Sequence, residues 1–193
     1  MKIGIAGAGG IGSNVARHLV QAGVEQIKIV DFDCVETSNL NRQFYSVSQV
    51  GRPKVECLKK NLEAILPHVH VEAVNQRLKP GDSANIFEDC AVVVEGFDDT
   101  KAKKHLVEEL SGTGIPVVCA SGIAGRDMTA VTSHCIGNCH IVGDFVTDVD
   151  HDLLFPPKVG MIAAMMAGIV LDQIEWTLAE SQEENLTELC NEE

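Results

Sequence analysis

Positive charge is scarce in this chain of 193 residues. Fifteen lysines and arginines stand against 28 aspartates and glutamates, which leaves a net charge of −13 at pH 7. A protein that binds a nucleic-acid duplex normally concentrates basic residues on one surface. We therefore expect no nucleic-acid partner. A single nucleotide needs only a few local donors and is compatible with this charge balance.

Long apolar runs are missing as well. The longest uncharged apolar run, residues 159–171, has 13 residues, fewer than a membrane-spanning helix requires. No signal peptide is visible, since residues 2–6 already have the pattern of a buried strand. The sequence therefore predicts no membrane partner and a cytoplasmic location.

The cysteine pattern of a disulfide-stabilised protein is also absent. The seven cysteines are odd in number and irregularly spaced. Most lie in apolar segments, where reduced thiols pack as small hydrophobic groups. Cys135, Cys139 and His140 supply only three zinc ligands at an unusual spacing, whereas a closed structural zinc site has four. The sequence thus argues against disulfides and against structural zinc.

Strand and helix signals alternate along the chain, which is typical of an α/β, Rossmann-like protein with a mostly parallel sheet flanked by helices. Strands are predicted at residues 2–6, 27–30, 69–74, 91–95 and 116–120, and helices at 11–22, 53–66, 99–110 and 158–179, with a short helix after Asp82. Residues 128–142 indicate an antiparallel pair at one edge. We expect one domain, residues 1–179, followed by an acidic tail, residues 180–193.

The first turn carries a G-x-G-x-x-G pattern between a strand and a helix. Its glycines are Gly7, Gly9 and Gly12, with Gly10 also in the loop. Glycine lets backbone N–H groups approach a phosphate, and the helix N-terminus adds partial positive charge. Asp31 ends the second strand, where a carboxylate binds ribose hydroxyls. This pattern predicts a nucleotide site but leaves NAD, FAD and ATP open.

Two cations follow at positions that a dinucleotide does not require. The segment of residues 33–51 is long for a connection, and such loops are usually functional. Arg42 lies in this segment and Lys54 just inside the next predicted helix. A triphosphate needs cations near its terminal phosphates. Ordinary solvated surface charges are an equal alternative when only these two residues are considered.

Several motifs taken together resemble the ThiF/MoeB/HesA family, the bacterial relatives of the adenylation domain of ubiquitin-activating enzymes. They lie at residues 7–12, 31–33, 39–43, 52–54, 97–99 and 120–125. The resemblance covers roughly residues 1–175. The short chain and the small-residue segment that follows Lys158 look most like the compact ThiF subgroup associated with thiamine biosynthesis.

The resemblance implies ATP-dependent adenylation of the C-terminal glycine carboxylate of a small ubiquitin-like, ThiS-like sulfur-carrier protein, with release of pyrophosphate. It implies Arg42 and Lys54 as catalytic cations and Asp98 as the residue that binds Mg²⁺. The implied nucleotide contacts are Gly7, Gly9, Gly10, Gly12, Asp31, Asp33, Asn39 and Gln43. Such a reaction needs no general base, because the attacking carboxylate is already ionised at neutral pH.

The family's usual state also implies a homodimer. Small residues recur in the last predicted helix, which would allow close helix approach, although packing on the sheet explains them equally well; they are Gly160, Ala163, Ala164, Ala167 and Gly168. Residues 143–157 contain no cysteine, which argues against thioester or persulfide chemistry by this chain. Two alternatives remain: an NAD-dependent Rossmann oxidoreductase, and a non-catalytic nucleotide-binding protein that docks a carrier.

Overall fold

A seven-stranded sheet forms the centre of the protein. The computed structural model describes the backbone of residues 1–190 and the side chains of residues 1–174. The strands are β1 (Ile3–Ala6), β2 (Gln26–Asp31), β3 (His70–Asn75), β4 (Val92–Glu95), β5 (Val117–Ala120), β6 (Thr132–Ile136) and β7 (Cys139–Gly143). Their spatial order is β3-β2-β1-β4-β5-β7-β6. All neighbouring pairs are parallel except β6 and β7.

Helices cover both faces of this sheet. They are α1 (Gly10–Gln21), α2 (Lys54–Glu63), α3 (Ser83–Ile86), α4 (Thr100–Leu110) and α5 (Pro156–Cys190). The buried side chains of α1, α2 and α5 form one core with one face of the sheet. Buried leucines of α4 and Phe87, just after α3, pack with the other face. The Rossmann-like α/β fold and the antiparallel edge pair predicted from the sequence are confirmed.

The order of the strands creates a crevice at one edge of the sheet. From β1 the chain proceeds outward through β2 and β3, and it then returns to β4 on the other side of β1. In open parallel sheets, ligands bind outside the carboxyl ends of the strands at such a reversal. The carboxyl ends of β1, β2 and β4 therefore define where a functional site is expected.

The last helix is longer than the sequence analysis predicts. α5 begins at Pro156 and continues to Cys190, past the predicted end near Ala179. The chain has no glycine or proline after Gly168, so no helix-breaking residue stops it. The sequence analysis predicts that residues 180–193 form an acidic tail separate from the domain. The side chains of these residues lie outside the described part of the chain, so this stays a prediction.

Part of α5 meets the length and composition criteria for crossing a membrane. This part is Pro156–Ile174, with a mean hydropathy of 1.3, which extends beyond the uncharged run considered in the sequence analysis. Core helices of globular domains meet the same criteria. The buried side chains of this stretch join the core on α1 and the sheet; they are Val159, Ile162, Ala163, Met166, Ala167 and Val170. The expected absence of a membrane partner stays a prediction.

A buried ion pair fixes the start of α5 to the loop that precedes it. Lys158 is fully buried, and its Nζ donates to Asp144 Oδ2 at 2.6 Å and to Ala124 O at 2.5 Å. Asp144 also accepts from the backbone N–H groups of Val146 and Thr147. Burial raises the pKa of Asp144, but the hydrogen bonds from Lys158 and from these backbone groups outweigh it and hold the pKa below its usual value of 3.8.

We expect Asp144→Asn to lower the free energy of unfolding by about 3 kcal/mol at neutral pH, because it leaves the Lys158 charge buried without a partner. Urea-induced unfolding measures this loss. The matched control is Glu108→Gln in the exposed pair with Lys104, which we expect to cost less than about 0.5 kcal/mol.

The stabilisation by Asp144 also has a defined pH dependence. A carboxylate whose pKa is lowered by folding stabilises the protein above its unfolded pKa, and this contribution is lost as the pH falls. The difference between the unmodified chain and Asp144→Asn should therefore narrow below about pH 4. A difference that stays constant down to strongly acidic pH would contradict this account of the pair.

Candidate functional site

Three glycines bring separate backbone segments into contact at the carboxyl edge. A Cβ at Gly12 would overlap the carbonyl oxygen of Gly7, and one at Gly7 would lie 2.8 Å from the carbonyl of Gly96, in the turn after β4. Gly7 also has φ +92°, which favours glycine. These glycines are required by packing within the protein itself.

Gly9 differs from these three glycines. A Cβ at this position would meet no protein atom closer than Gly96 O at 3.7 Å, with Gln43 Nε2 next at 3.9 Å. The protein's own packing therefore does not require glycine here, at the N-cap of α1. Gln43 Oε1 is buried without a hydrogen-bond partner among the described residues. Open space and an unused acceptor beside a helix N-terminus fit a nucleotide with phosphate and hydroxyl groups.

Asp31 has a structural role that the sequence analysis did not identify. Its side chain is almost fully buried, with Oδ2 accepting from Ala8 N at 2.6 Å and Oδ1 accepting from Asp33 N at 2.7 Å. Burial raises the pKa of Asp31, and these two backbone donors act against that rise. Tyr45 Oη donates to Ala8 O at 2.8 Å. Asp31 and Tyr45 therefore hold the glycine loop from two sides.

The two predicted phosphate-binding cations have different surroundings. Lys54 is buried, and its Nζ lies 3.0 Å from Asp33 Oδ2. Arg42 Nη1 donates to Ser38 O and to Asn41 Oδ1, both at 2.9 Å. Among the described residues Arg42 has no acidic partner. Its charge is therefore available to an anion, whereas that of Lys54 is already shared with Asp33.

Asn39 orders the loop that carries Arg42 and Gln43. Its Oδ1 accepts from Glu36 N at 3.0 Å, and together with the Glu36 side chain it forms a capping box around a short 3-10 turn. The Asn39 carbonyl oxygen accepts from the backbone N–H groups of Arg42 and Gln43. The side chain is mostly buried, so its contacts support the loop, and direct contact with phosphate stays a prediction.

Two adjacent aspartates after β4 have separate roles. Asp99 is the N-cap of α4, with Oδ1 accepting from Ala102 N at 2.7 Å. Asp98 is exposed and accepts no hydrogen bond from the described residues. It follows Phe97, whose ring lies against Gly7. A carboxylate without a partner beside the glycine loop is free to bind a cation.

The part of the chain that the structure describes contains no cluster of three or more acidic, histidine or cysteine side chains that could hold a metal ion. Mg²⁺ does not require one, since it is commonly bound through one or two carboxylates together with phosphate oxygens. Asp98 therefore fits such an ion only in combination with a bound phosphate chain.

A buried pair beneath this turn was missed by the sequence analysis. Glu95 is fully buried, and its Oε1 accepts from Phe97 N at 2.7 Å. Lys103 Nζ forms an ion pair with Glu95 Oε2 at 2.8 Å and donates to Ala120 O at 2.7 Å. Burial raises the pKa of Glu95, and Lys103 acts against that rise. The available signal was an acidic residue closing an apolar strand.

The three residues considered as zinc ligands do not form a group that could hold a metal ion in the described part of the chain. Cys135 is exposed on β6, with Sγ 3.9 Å from His140 Nε2. Cys139 is buried and faces Cys119, with the two sulfurs 3.5 Å apart. All six cysteines among the described side chains are free thiols. The side chain of Cys190 lies outside the described residues.

Comparison with known proteins identifies the class to which this fold and site belong. The model of the ThiF family matches residues 1–190. The chain is therefore a member of the ThiF family, as its motifs predict.

Two curated relatives and one solved structure illustrate the range of this similarity. Adenylyltransferase and sulfurtransferase UBA4 of Candida glabrata is 34% identical over 176 residues, which cover 86% of this chain and 40% of the relative. Molybdopterin-synthase adenylyltransferase of Haemophilus influenzae is 30% identical over 134 residues, covering 69% and 55%. Escherichia coli tRNA N6-threonylcarbamoyladenosine dehydratase in complex with AMP superposes with a TM-score of 0.81 at 20% identity, covering 93% and 87%.

The activities and substrates of these relatives cannot be assigned to this chain from the matches alone. The chain spans well under two thirds of the length of the two curated relatives. The similarity to the dehydratase, at 20% identity, supports the fold alone.

Gly9 and Gly12 allow ligand binding to be separated from packing. We expect Gly12→Ala to destabilise the protein by about 1–3 kcal/mol, because the added methyl overlaps the Gly7 carbonyl. Gly9→Ala should change stability by less than about 0.5 kcal/mol, yet weaken ATP binding by about tenfold or more, since the methyl would occupy the space of a phosphate.

Urea unfolding and calorimetric titration with ATP measure these two effects. Unchanged ATP affinity in Gly9→Ala would show that the loop does not hold a phosphate.

Proposed function

We propose that this chain is an ATP-dependent adenylyltransferase that activates the C-terminal glycine carboxylate of a small ubiquitin-like, ThiS-like sulfur-carrier protein and releases pyrophosphate. The observation that carries the proposal is the grouping of three features at one sheet edge. They are the open position at Gly9, the Arg42 guanidinium without an acidic partner, and the exposed Asp98 carboxylate. Membership in the ThiF family supports the same activity.

ATP would lie across the carboxyl ends of β2, β1 and β4. Asp31, at the end of β2, would accept from ribose hydroxyls with the lone pairs that Ala8 and Asp33 leave unused. The backbone at Gly9 and the N-terminus of α1 would receive the α-phosphate. Arg42 and Lys54 would supply positive charge to the phosphate chain.

The chemistry is a displacement at the α-phosphorus. An oxygen of the carrier's ionised C-terminal carboxylate forms a bond to the α-phosphorus, and the bond from that phosphorus to the α,β-bridging oxygen breaks. Its electron pair leaves with pyrophosphate, and the carrier retains the adenylyl group. Catalysis then consists of positioning and of stabilising charge on the phosphate oxygens.

Asp98 is the residue that would hold Mg²⁺. When bound, Mg²⁺ neutralises charge on phosphate oxygens and fixes their geometry. The Glu95 carboxylate, through its hydrogen bond to Phe97 N, holds the turn from which Asp98 projects. Asp99 remains occupied as the helix cap, so the two aspartates are not interchangeable.

Besides a carrier protein, tRNA is a second class of substrate to be tested. A curated relative 34% identical over 131 residues, covering 63% of this chain and 28% of the relative, is named tRNA threonylcarbamoyladenosine dehydratase 2, from Saccharomyces cerevisiae. Two kinds of substrate should therefore be compared: tRNA, and carrier proteins that end in Gly-Gly. We expect a carrier protein to be the one that is adenylated. Stabilisation by NAD(H) but not by ATP–Mg²⁺ would favour an oxidoreductase, and ATP binding without exchange would favour a non-catalytic docking protein.

We also propose that the protein is a cytoplasmic homodimer. Support for the homodimer comes from α5, where the small residues divide into two sets. Ala163 and Ala167 are buried in the core, whereas Ala164 is exposed and a Cβ at Gly160 or Gly168 would meet no atom within 4 Å. The second set leaves room for close approach of another helix. Sedimentation that shows only a 20.8 kDa monomer at micromolar concentration would exclude a stable dimer.

Removal of either predicted phosphate-binding cation should slow adenylation strongly. We expect Arg42→Ala and Lys54→Ala to reduce carrier-dependent ATP–pyrophosphate exchange by about 10²–10³-fold, because each removes positive charge from a site of developing negative charge. Lys104→Ala on α4, which removes a charge from the opposite face of the sheet, is the control and should leave exchange unchanged. Near-normal exchange in both test variants would refute the phosphate-binding assignment.

Asp98 and Asp99 provide a matched pair for the metal assignment. We expect Asp98→Asn to fold normally but to reduce exchange, and to raise the Mg²⁺ concentration required, by about tenfold or more. Asp99→Asn keeps a capping oxygen and should have little effect. Exchange measured across a Mg²⁺ titration tests both variants, and normal Mg²⁺ dependence in Asp98→Asn would end the assignment.

A further inference from the structure

A cavity of about 280 Å³ lies between α1, residues 40–44 and the first turns of α5. The residues that line it include two arginines, Arg17 and Arg42, and three residues with side-chain amides, Asn14, Asn41 and Gln43. None of the described residues that line it is acidic, in a chain with 28 acidic and 15 basic residues. This lining is suited to an anion.

Arg17 is the cation of this cavity to which the proposed function gives no role. Its guanidinium lies over the Phe44 ring at 5.5 Å, and Nη2 lies 3.3 Å from His18 Nε2. Burial and the Arg17 charge both lower the pKa of His18, so the imidazole is neutral at pH 7 and can accept this contact. Arg17 Nε is buried without a hydrogen-bond partner among the described residues. A buried donor left unpaired is costly, which points to an acceptor from a ligand.

The cavity adjoins the glycine loop. Asn14 Nδ2 donates to Gly10 O at 2.7 Å and to Arg42 O at 2.8 Å, so Asn14 joins α1 to the loop that carries Arg42. The side chain of Arg42 lies 3.7 Å from the position of a Cβ at Gly10. A phosphate chain that starts on the glycine loop would therefore reach the cavity with its terminal groups.

We propose that this cavity binds the β- and γ-phosphates of ATP and the pyrophosphate formed from them, with Arg17 as a second cation beside Arg42. This inference rests on the proposed function for its place in the reaction. When the bond from the α-phosphorus to the bridging oxygen breaks, the electron pair and the negative charge pass to pyrophosphate. The two guanidinium groups stabilise that charge. Arg17 is thus a binding residue for the leaving group.

Calorimetric titration of the full chain with pyrophosphate, and separately with AMP, tests this assignment without a carrier or turnover. We expect Arg17→Gln to weaken pyrophosphate binding by about 10- to 100-fold, the loss of a charged hydrogen bond, and to leave AMP binding unchanged. Lys104→Gln removes the same charge from the opposite face of the sheet and should bind both ligands normally. Arg17→Lys keeps the charge and should have an intermediate affinity for pyrophosphate. This variant provides the test if Arg17→Gln does not fold.

Three results would overturn the proposal. The first is that the unmodified chain does not bind pyrophosphate, and the second is that all Arg17 variants bind pyrophosphate with equal affinity. The third is that the Arg17 variants bind a peptide ending in Gly-Gly more weakly but bind pyrophosphate normally. The last result would identify a carboxylate site. Failure of the proposed function can be distinguished from failure of this inference. In that case carrier-dependent ATP–pyrophosphate exchange would be absent, but pyrophosphate binding would still depend on Arg17.

Discussion

The close contact of three backbone segments is the constraint on which this site depends. The glycine loop, the first turn of α1 and the turn after β4 meet at Gly7, Gly12 and Gly96, where almost no space remains for a side chain. Only this contact lets the N-terminus of α1 reach the carboxyl ends of β1 and β4. Among Gly7, Gly9 and Gly12, only Gly9 has open space at the position of a Cβ. This space is where a phosphate is expected.

Buried carboxylates hold this edge of the sheet in a repeated way. Asp31 and Glu95 end β2 and β4, and Asp144 follows β7 directly; each accepts from a backbone N–H of the loop beside it. A lysine pairs directly with Glu95 and with Asp144, whereas the lysine near Asp31, Lys54, pairs with Asp33. The ionised groups that order the loops are thereby separated from Arg42 and Asp98, which remain free for ligands.

Much of the fold follows from local sequence patterns. Apolar runs such as that around Ile3 and Ile5 are buried on both faces of a parallel sheet, which is why they lack alternation. The edge pair of β6 and β7 was predicted from weaker signals and is confirmed. The end of α5 was predicted too early, because charge was taken as the limit of a helix that no glycine or proline interrupts.

The site was predictable in its motifs but not in its contacts. The pairing of Lys54 with Asp33 joins residues 21 apart, and that of Lys158 with Asp144 depends on a loop whose course no local pattern specifies. Asn39 was assigned to phosphate although its spacing from Glu36 also suits a capping box. Arg17 was missed because a helical arginine is normally a solvated charge, and its cavity arises only when α1 meets α5.

The reaction proposed for this site transfers the adenylyl group of ATP to a carboxylate. The most direct test is incubation of the chain and a Gly-Gly-ended carrier protein with ATP labelled at either the α- or the γ-phosphorus. We expect the α label, and not the γ label, to become attached to the carrier, and blocking the carrier's C-terminal carboxylate should abolish the transfer. Attachment of the γ label, or attachment of the α label to a carrier whose carboxylate is blocked, would contradict it.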